Sequence, residues 1–245
     1  MLAVYNVKGG VGKTATAVNL AYASALAGLR TLLWDLDPQG AASFYFRVRP
    51  RVDGGGKRLL AGDEGFAAAI RGTDFEGLDL LPADFSYRRM DLELAARKKP
   101  TRRLGKRLES LAGDYDLVWL DCPPSISLVS ENVFRAADVL LMPTVPTPLS
   151  LRTLAQVAEH LGERPRSGPE VWPFFSLVDR RKHLHRATCD RSDTPFPMLA
   201  TRIPYASQVE QMGVHRLPLA LFAPGNPATR AYQSLWDELR GRLAP

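Results

Sequence analysis

The chain has 245 residues, 45% of them hydrophobic and 24% charged, which is ordinary for a globular domain with a full core. No apolar run approaches the roughly 18 residues of a membrane span, and the residues after Met1 carry neither the basic region nor the cleavage site of a secretion signal. The two cysteines, Cys122 and Cys189, form no metal-ligand spacing or disulfide framework, and the net charge of +6 points toward polyanionic partners rather than cationic ones.

Apolar residues 2–7 read as the first strand. Lys8-Gly9-Gly10-Val11-Gly12-Lys13-Thr14 follows; its Gly12-Lys13-Thr14 fits the close of the phosphate-loop template G-x-x-x-x-G-K-[ST], and Lys8 is added ahead of the glycines. Gly9, Gly10 and Gly12 let backbone N–H groups close on a phosphate without Cβ clashes. The helix expected over 14–27 turns its positive end toward the same anion. Lys13 supplies a charge for the outer phosphates, the Thr14 hydroxyl is placed for Mg²⁺, and Ala15 completes the nucleotide-binding stretch. Lys8 is surplus, since a loop of this kind needs one lysine. Gly28 stands where a helix-ending C′ glycine belongs.

A second strand over 31–34 runs into Asp35-Leu36-Asp37-Pro38-Gln39-Gly40. Side chains alternate across a strand, so Asp35 and Asp37 share one side. Two carboxylates at the carboxyl end of a parallel strand face the ligand crevice. There they can hold metal-bound water and orient an attacking water. Residues 47–65, rich in Gly and Arg, read as a mobile loop. Helical patterns follow at 66–70, 87–97 and 102–111, with a strand at 78–81.

The strand at 117–120 ends in Asp121-Cys122-Pro123-Pro124-Ser125. An acid closing an apolar strand is the Walker B arrangement, with Asp121 holding Mg²⁺ together with Thr14. Pro123 and Pro124 stiffen a loop placed to sense the γ-phosphate. Further strands are expected at 139–142, 171–177 and 199–203, and helices at 130–135, 151–161 and 228–243. Continuous apolar strands with intervening helices argue an α/β, doubly wound, mostly parallel sheet flanked by helices, in one domain spanning 1–245. The loop begins at residue 8, which leaves no room before it for a helix-turn-helix domain.

Basic residues cluster in three places. Between 88 and 107 lie nine basic residues (Arg88, Arg89, Arg97, Lys98, Lys99, Arg102, Arg103, Lys106, Arg107) against Asp91 and Glu93, a net charge of +7. A second cluster is Arg180, Arg181, Lys182, Arg186 and Arg191, with His183 and His185 between them. A third is Arg47, Arg49, Arg51, Lys57 and Arg58. Such clusters fit non-specific contact with nucleic-acid phosphates.

The three motifs, at Lys8–Thr14, Asp35–Gly40 and Asp121–Ser125, resemble the deviant Walker A P-loop ATPases of the ParA/MinD group, the Soj-like ParA branch above all. The likeness continues in order through Leu80-Leu81-Pro82-Ala83, 139–143, Thr201-Arg202-Ile203-Pro204 and the last helix. It implies a Mg²⁺-dependent ATPase that forms an ATP-sandwich homodimer. Lys8 would match the signature lysine that reaches the partner subunit's nucleotide, and with Lys13 and Asp37 it would form the catalytic set. Asp37 would match the carboxylate that positions the hydrolytic water. The resemblance also implies ATP-dependent, non-specific DNA binding and stimulation of hydrolysis by a ParB-like or cargo-adaptor protein. The output would be partition of plasmid, chromosome or other cargo over the nucleoid, in the cytoplasm.

Arg180 and Arg181 match the family's DNA-binding arginines. The basic position expected after Ile203-Pro204 is missing, so either Arg202 and Arg216 substitute or the DNA face lies toward the 97–107 cluster. Ala41 stands where the family carries Asn. The alternative reading is a membrane-cycling MinD-like ATPase, which needs an amphipathic C-terminal anchor. Leu235, Trp236, Leu239 and Leu243 share a helical face, but Asp237 and Glu238 interrupt it, and a core-packed helix is expected. Iron–sulfur carriers of the superfamily need paired cysteines, and its tyrosine kinases a terminal tyrosine cluster; neither is present.

Overall fold

The structure, a computed structural model, describes residues 1–111, 113–162, 168–190 and 193–243. Seven strands form one sheet: β1 Leu2–Val4, β2 Thr31–Asp35, β3 Arg71–Gly72, β4 Leu78–Leu81, β5 Leu117–Asp121, β6 Val139–Thr144 and β7 Glu170–Phe175. Their order is β3-β4-β2-β5-β1-β6-β7. All neighbours run parallel except β3, which pairs antiparallel with β4. The doubly wound α/β sheet expected from the sequence is therefore present.

The central strands are apolar without alternation because helices cover both faces. Even-numbered β2 residues, among them Leu32 and Trp34, join one core, and Leu33 joins the other. On β5 the split is the same: Val118 and Leu120 face one core, Leu117 and Trp119 the other. Trp34 and Trp119 are both fully buried. Trp34 meets Phe66 edge-on at 5.1 Å, and the Trp119 indole donates to Ser24 Oγ at 2.9 Å. Each fully buried leucine or valine of these strands contributes about 1.5–3 kcal/mol.

The first helix, α1 (Lys13–Leu26), packs on the second core. It ends as the sequence predicts. Gly28 takes a φ of 86°, its N–H bonds Ala25 O at 2.8 Å, and Leu29 N–H bonds Ser24 O at 3.2 Å. That pair of hydrogen bonds is a Schellman motif, and the positive φ is why glycine stands there. The last helix of the described residues, Pro227–Leu243, buries Tyr232, Leu235, Trp236 and Leu239 against the α1 side. Its apolar stripe thus packs into the core, as expected. Among the described residues no helix is long and apolar enough to cross a membrane.

Two expectations are corrected. Residues 199–203 are not a strand. Their N–H groups reach β7 only at Leu199 and Ile203, while Ala200 and Thr201 donate instead to the Glu238 carboxylate at 2.8 and 2.9 Å. Residues 47–65 are not all loop: Gly55–Leu59 is a short helix, and another begins at Asp63. Gly54 and Gly55, both at positive φ, lead into the first of these. The edge strand β3, two residues long, is too short to leave a periodic signal. Short helices at Ala41–Tyr45 (α2), His183–Cys189 (α3), Ser207–His215 (α4) and Leu219–Phe222 (α5) also escaped the sequence reading.

Candidate nucleotide site

β1 lies between β5 and β6, yet the chain leaves it for β2 on the far side of β5. This is the sheet's switch point, where a crevice opens at the carboxyl ends of the strands. The 8–14 loop sits there. Asn6, just before it, is buried and holds two ends at once: its Oδ1 accepts from Lys8 N at 2.9 Å, and its Nδ2 donates to Pro143 O at 2.9 Å. Gly10 and Gly12 take φ values of 70° and 91°. A side chain at either would be strained, which is why this loop spends glycines. Open space lies over Gly9 and Gly10, where a Cβ would meet nothing within 4 Å.

Lys13 opens α1. Its Nζ turns back across the loop to donate to Lys8 O at 3.0 Å. Burial lowers its pKa, and the carboxylates of Asp121 and Asp37 oppose that shift. The ammonium is thus held over the strand-end acids. Lys8 Nζ lies 3.5 Å from Ser150 Oγ, at the start of the helix Pro148–Gly162. The two lysines therefore point to different places, although they bracket one loop.

Asp35 and Asp121 are side by side in register on β2 and β5 and are fully buried. Asp35 Oδ2 accepts from Ser43 N at 2.8 Å and Ser43 Oγ at 2.7 Å. Among the described residues its Oδ1, and both oxygens of Asp121, have no hydrogen-bond partner. Burial pushes Asp35 up to about 6 despite its Ser43 bonds. Asp121 is raised further, by burial and then by Asp35, while the nearby Thr14 hydroxyl and Lys13 pull it back. Asp37 follows in the turn, half-buried, its Oδ1 accepting from Gln39 N at 2.9 Å.

Orphaned buried carboxylate oxygens beside a hydroxyl are a partial shell for a hard divalent cation. Asp121 and Thr14 fit Mg²⁺, with Asp35 behind them. Among the described residues no three His, Cys, Asp or Glu make a metal cluster by themselves. Water and nucleotide phosphates would complete such a shell, as is usual for Mg²⁺.

The four predicted DNA-contacting arginines do not form one patch. Arg180 and Arg202 line a single cavity of about 610 Å³ with Arg186, beside Cys189, Asp190 and Pro204. Arg181 is exposed but closes on Asp179 through bonds of 2.9 and 3.0 Å, which hold the Asp179 carboxyl down at about 2. Arg216 sits instead against α2, 4.5 Å over the Phe44 ring and donating to Phe44 O at 3.0 Å. Arg191 lies outside the described residues. The sequence reading missed Asn6, Ser43, Ser150 and Ser176. The last is buried, its Oγ unpartnered and 3.1 Å from where a Cβ on Gly12 would sit. Only Asn6, adjacent to the loop, carried a positional signal.

Comparison with known proteins agrees with this geometry. The AAA domain family (AAA_31) matches residues 1–165. The sporulation initiation inhibitor protein Soj of Bacillus subtilis is 29% identical over 249 residues, covering 98% of this chain and 97% of that protein. The chromosome partitioning protein ParA of Caulobacter vibrioides is 37% identical over 192 residues, 75% of this chain and 72% of that protein. Among solved structures, cobyrinic acid a,c-diamide synthase from Mycobacterium smegmatis with bound ATP analogue and magnesium superposes with a TM-score of 0.79. It is 30% identical and covers 98% of this chain and 93% of that one.

Proposed function

We propose a function from the premise that the chain belongs to the AAA domain family matched over residues 1–165, within the P-loop ATPases that include the Soj and ParA partition proteins. It is an ATPase that uses ATP and Mg²⁺. Its finer role, in our reading, is that of a partition or positioning switch. ATP closes a sandwich homodimer, the dimer holds non-specific DNA, and a cargo-bound activator triggers hydrolysis and release. That output needs DNA and a second subunit rather than a small-molecule substrate.

The observation that carries this reading is the divided pair of lysines. Lys13 faces the strand-end acids of its own chain, whereas Lys8 points away from them toward Ser150. A cation at the loop that does not serve its own acids suits a site completed by a second copy. In this reading Lys13 and the loop amides bind the phosphates, and Thr14 and Asp121 hold the metal. Asp35 supports Asp121, and Asp37 orients the attacking water. Bound Mg²⁺ would neutralise phosphate charge. The protein's own part is to place these groups and keep them dry.

The test is assembly, read by light scattering with ATP and Mg²⁺. Asp37→Ala is expected to bind ATP normally, to lose at least about a hundredfold in turnover, and to accumulate as a dimer that retains arbitrary duplex DNA. Normal turnover in Asp37→Ala would move the water-positioning role elsewhere. Lys8→Ala is expected to bind nucleotide as the parent does yet remain monomeric with ATP. A stable ATP dimer of Lys8→Ala would overturn the role given to that lysine.

A further inference from the structure

The basic stretch from 88 to 107 divides into two kinds of side chain. Arg107 is buried and ion-paired with Asp63. Arg97 donates to Lys57 O at 3.0 Å and Arg103 to Lys98 O at 2.9 Å. These three hold the fold. Arg88, Arg89, Lys98, Lys99, Arg102 and Lys106 are exposed. Among the described residues none of the six has a carboxylate within ion-pair distance. Arg88 lies 3.8 Å over the Phe85 ring, which orients it without neutralising it. Packed like charges repel one another and destabilise the folded chain unless something outside compensates.

Lys98, Lys99, Arg102 and Lys106 stand in a concave setting. Two neighbouring hollows, of about 250 and 370 Å³, share Arg102, Lys106 and Glu109. The first is closed by Asn132 and Arg135 of the helix Leu128–Ala136, and the second by Lys98, Lys99 and Arg103. Lys99 is held at a φ of 54°, directly before the turn Pro100–Arg102. A left-handed lysine costs about 1–2 kcal/mol relative to its usual conformations, so this turn is kept against local preference. Hollows walled by cations accept protruding phosphates. A flat bilayer surface would leave them unfilled. Among the described residues Glu109 is the one acid lining them.

The surface is also independent of the nucleotide site. Leu94, Leu104 and Leu108 anchor it to the core that contains Trp34, across the sheet from α1. The Arg180–Arg202 cavity, by contrast, is bounded by Pro227 and Ala231 of the last helix, which packs on the α1 side. No residue of the 8–14 loop lines either hollow. One chain supplies the whole patch.

We propose that the surface formed by residues 98–106 together with Arg135 binds the phosphate backbone of duplex DNA without nucleotide and without dimerisation. It is separate from any ATP-dependent DNA contact. The inference rests on the reading of the chain as a DNA-retained ATPase. Its consequence is kinetic: a subunit that has hydrolysed ATP stays weakly held near DNA and rebinds locally instead of diffusing away.

The test measures fluorescence anisotropy of an arbitrary duplex with nucleotide-free protein over a range of salt. The wild type is expected to bind, with an affinity that falls steeply as salt rises. Arg102→Glu with Lys106→Glu, two exposed side chains without internal bonds, is expected to weaken binding about tenfold or more. The log–log salt slope should become shallower by about two phosphate contacts. ATP turnover and ATP-induced dimerisation of the double variant should match the parent. Absence of nucleotide-free binding in the wild type, or unchanged binding in the double variant, overturns the inference. So does preference for vesicles of anionic phospholipid over duplex. A wild type that fails to dimerise with ATP overturns the functional reading instead, so the two failures are separable.

Discussion

Lys13→Ala is expected to lose at least about a hundredfold in affinity for Mg²⁺-ATP, measured by titration calorimetry, because charge-assisted bonds to phosphate are each worth about 1.5–3 kcal/mol. The structure says why no neighbour would substitute. Lys13 is the first residue of α1, 7% exposed, with its Nζ already drawn over the loop to Lys8 O. Lys8 extends toward Ser150 and is not turned to the strand-end acids. The folded structure should survive, since the loop bonds made by Asn6 and the α1 packing do not involve the ammonium. Retention of parental ATP affinity with an unchanged circular dichroism spectrum would remove the phosphate-loop reading at its root.

Much of this site was legible because its chemistry is local. Glycines at positive φ, a lysine and a hydroxyl must come in a fixed order before a helix, and that order is written into the seven consecutive residues Lys8–Thr14. Asp35 and Asp121 were legible for a related reason: each ends a run that is apolar on both faces. What was not legible depends on residues distant in sequence. The apolar stretch 199–203 has the composition of a strand, but Glu238 takes up two of its N–H groups from the last helix. Nothing in the stretch itself reveals that. Arg181 has the look of a free DNA contact, yet Asp179, two residues earlier, engages its guanidinium. The cations at 98–106 look no different from Arg107 in sequence, and only packing separates the buried one from the exposed ones. Ser43 could not be tied to Asp35 either, because the short helix that brings it back rests on Gly40 at a φ of 67°.

Asp121→Asn is expected to make the nucleotide-free chain more stable while removing its Mg²⁺-dependent turnover. Two carboxylates in register, both fully buried, leave three oxygens without partners. A buried unsatisfied polar group costs about 1–3 kcal/mol, more when charged. The amide keeps the shape and removes the repulsion from Asp35, so a gain of about 1–3 kcal/mol is expected. For a domain of this size that is a rise in melting temperature of roughly 2–4 °C per kcal/mol. The pH dependence gives an independent check. Asp35 titrates near 6 in the folded chain, above its ordinary value of 3.8, and Asp121 is raised further. The folded state therefore binds more protons than the unfolded state between those values. Stability of the nucleotide-free parent should fall as pH rises from about 4 through 6 and beyond. In Asp121→Asn that slope should flatten, because the more strongly raised of the two groups is gone. Metal affinity should run the other way in the parent, weakening on acidification as the acids take up protons. Equal melting curves for parent and variant across pH 5–8 would mean that the buried pair carries no strain. The site would then have been prepared for its ion by something other than these two carboxylates.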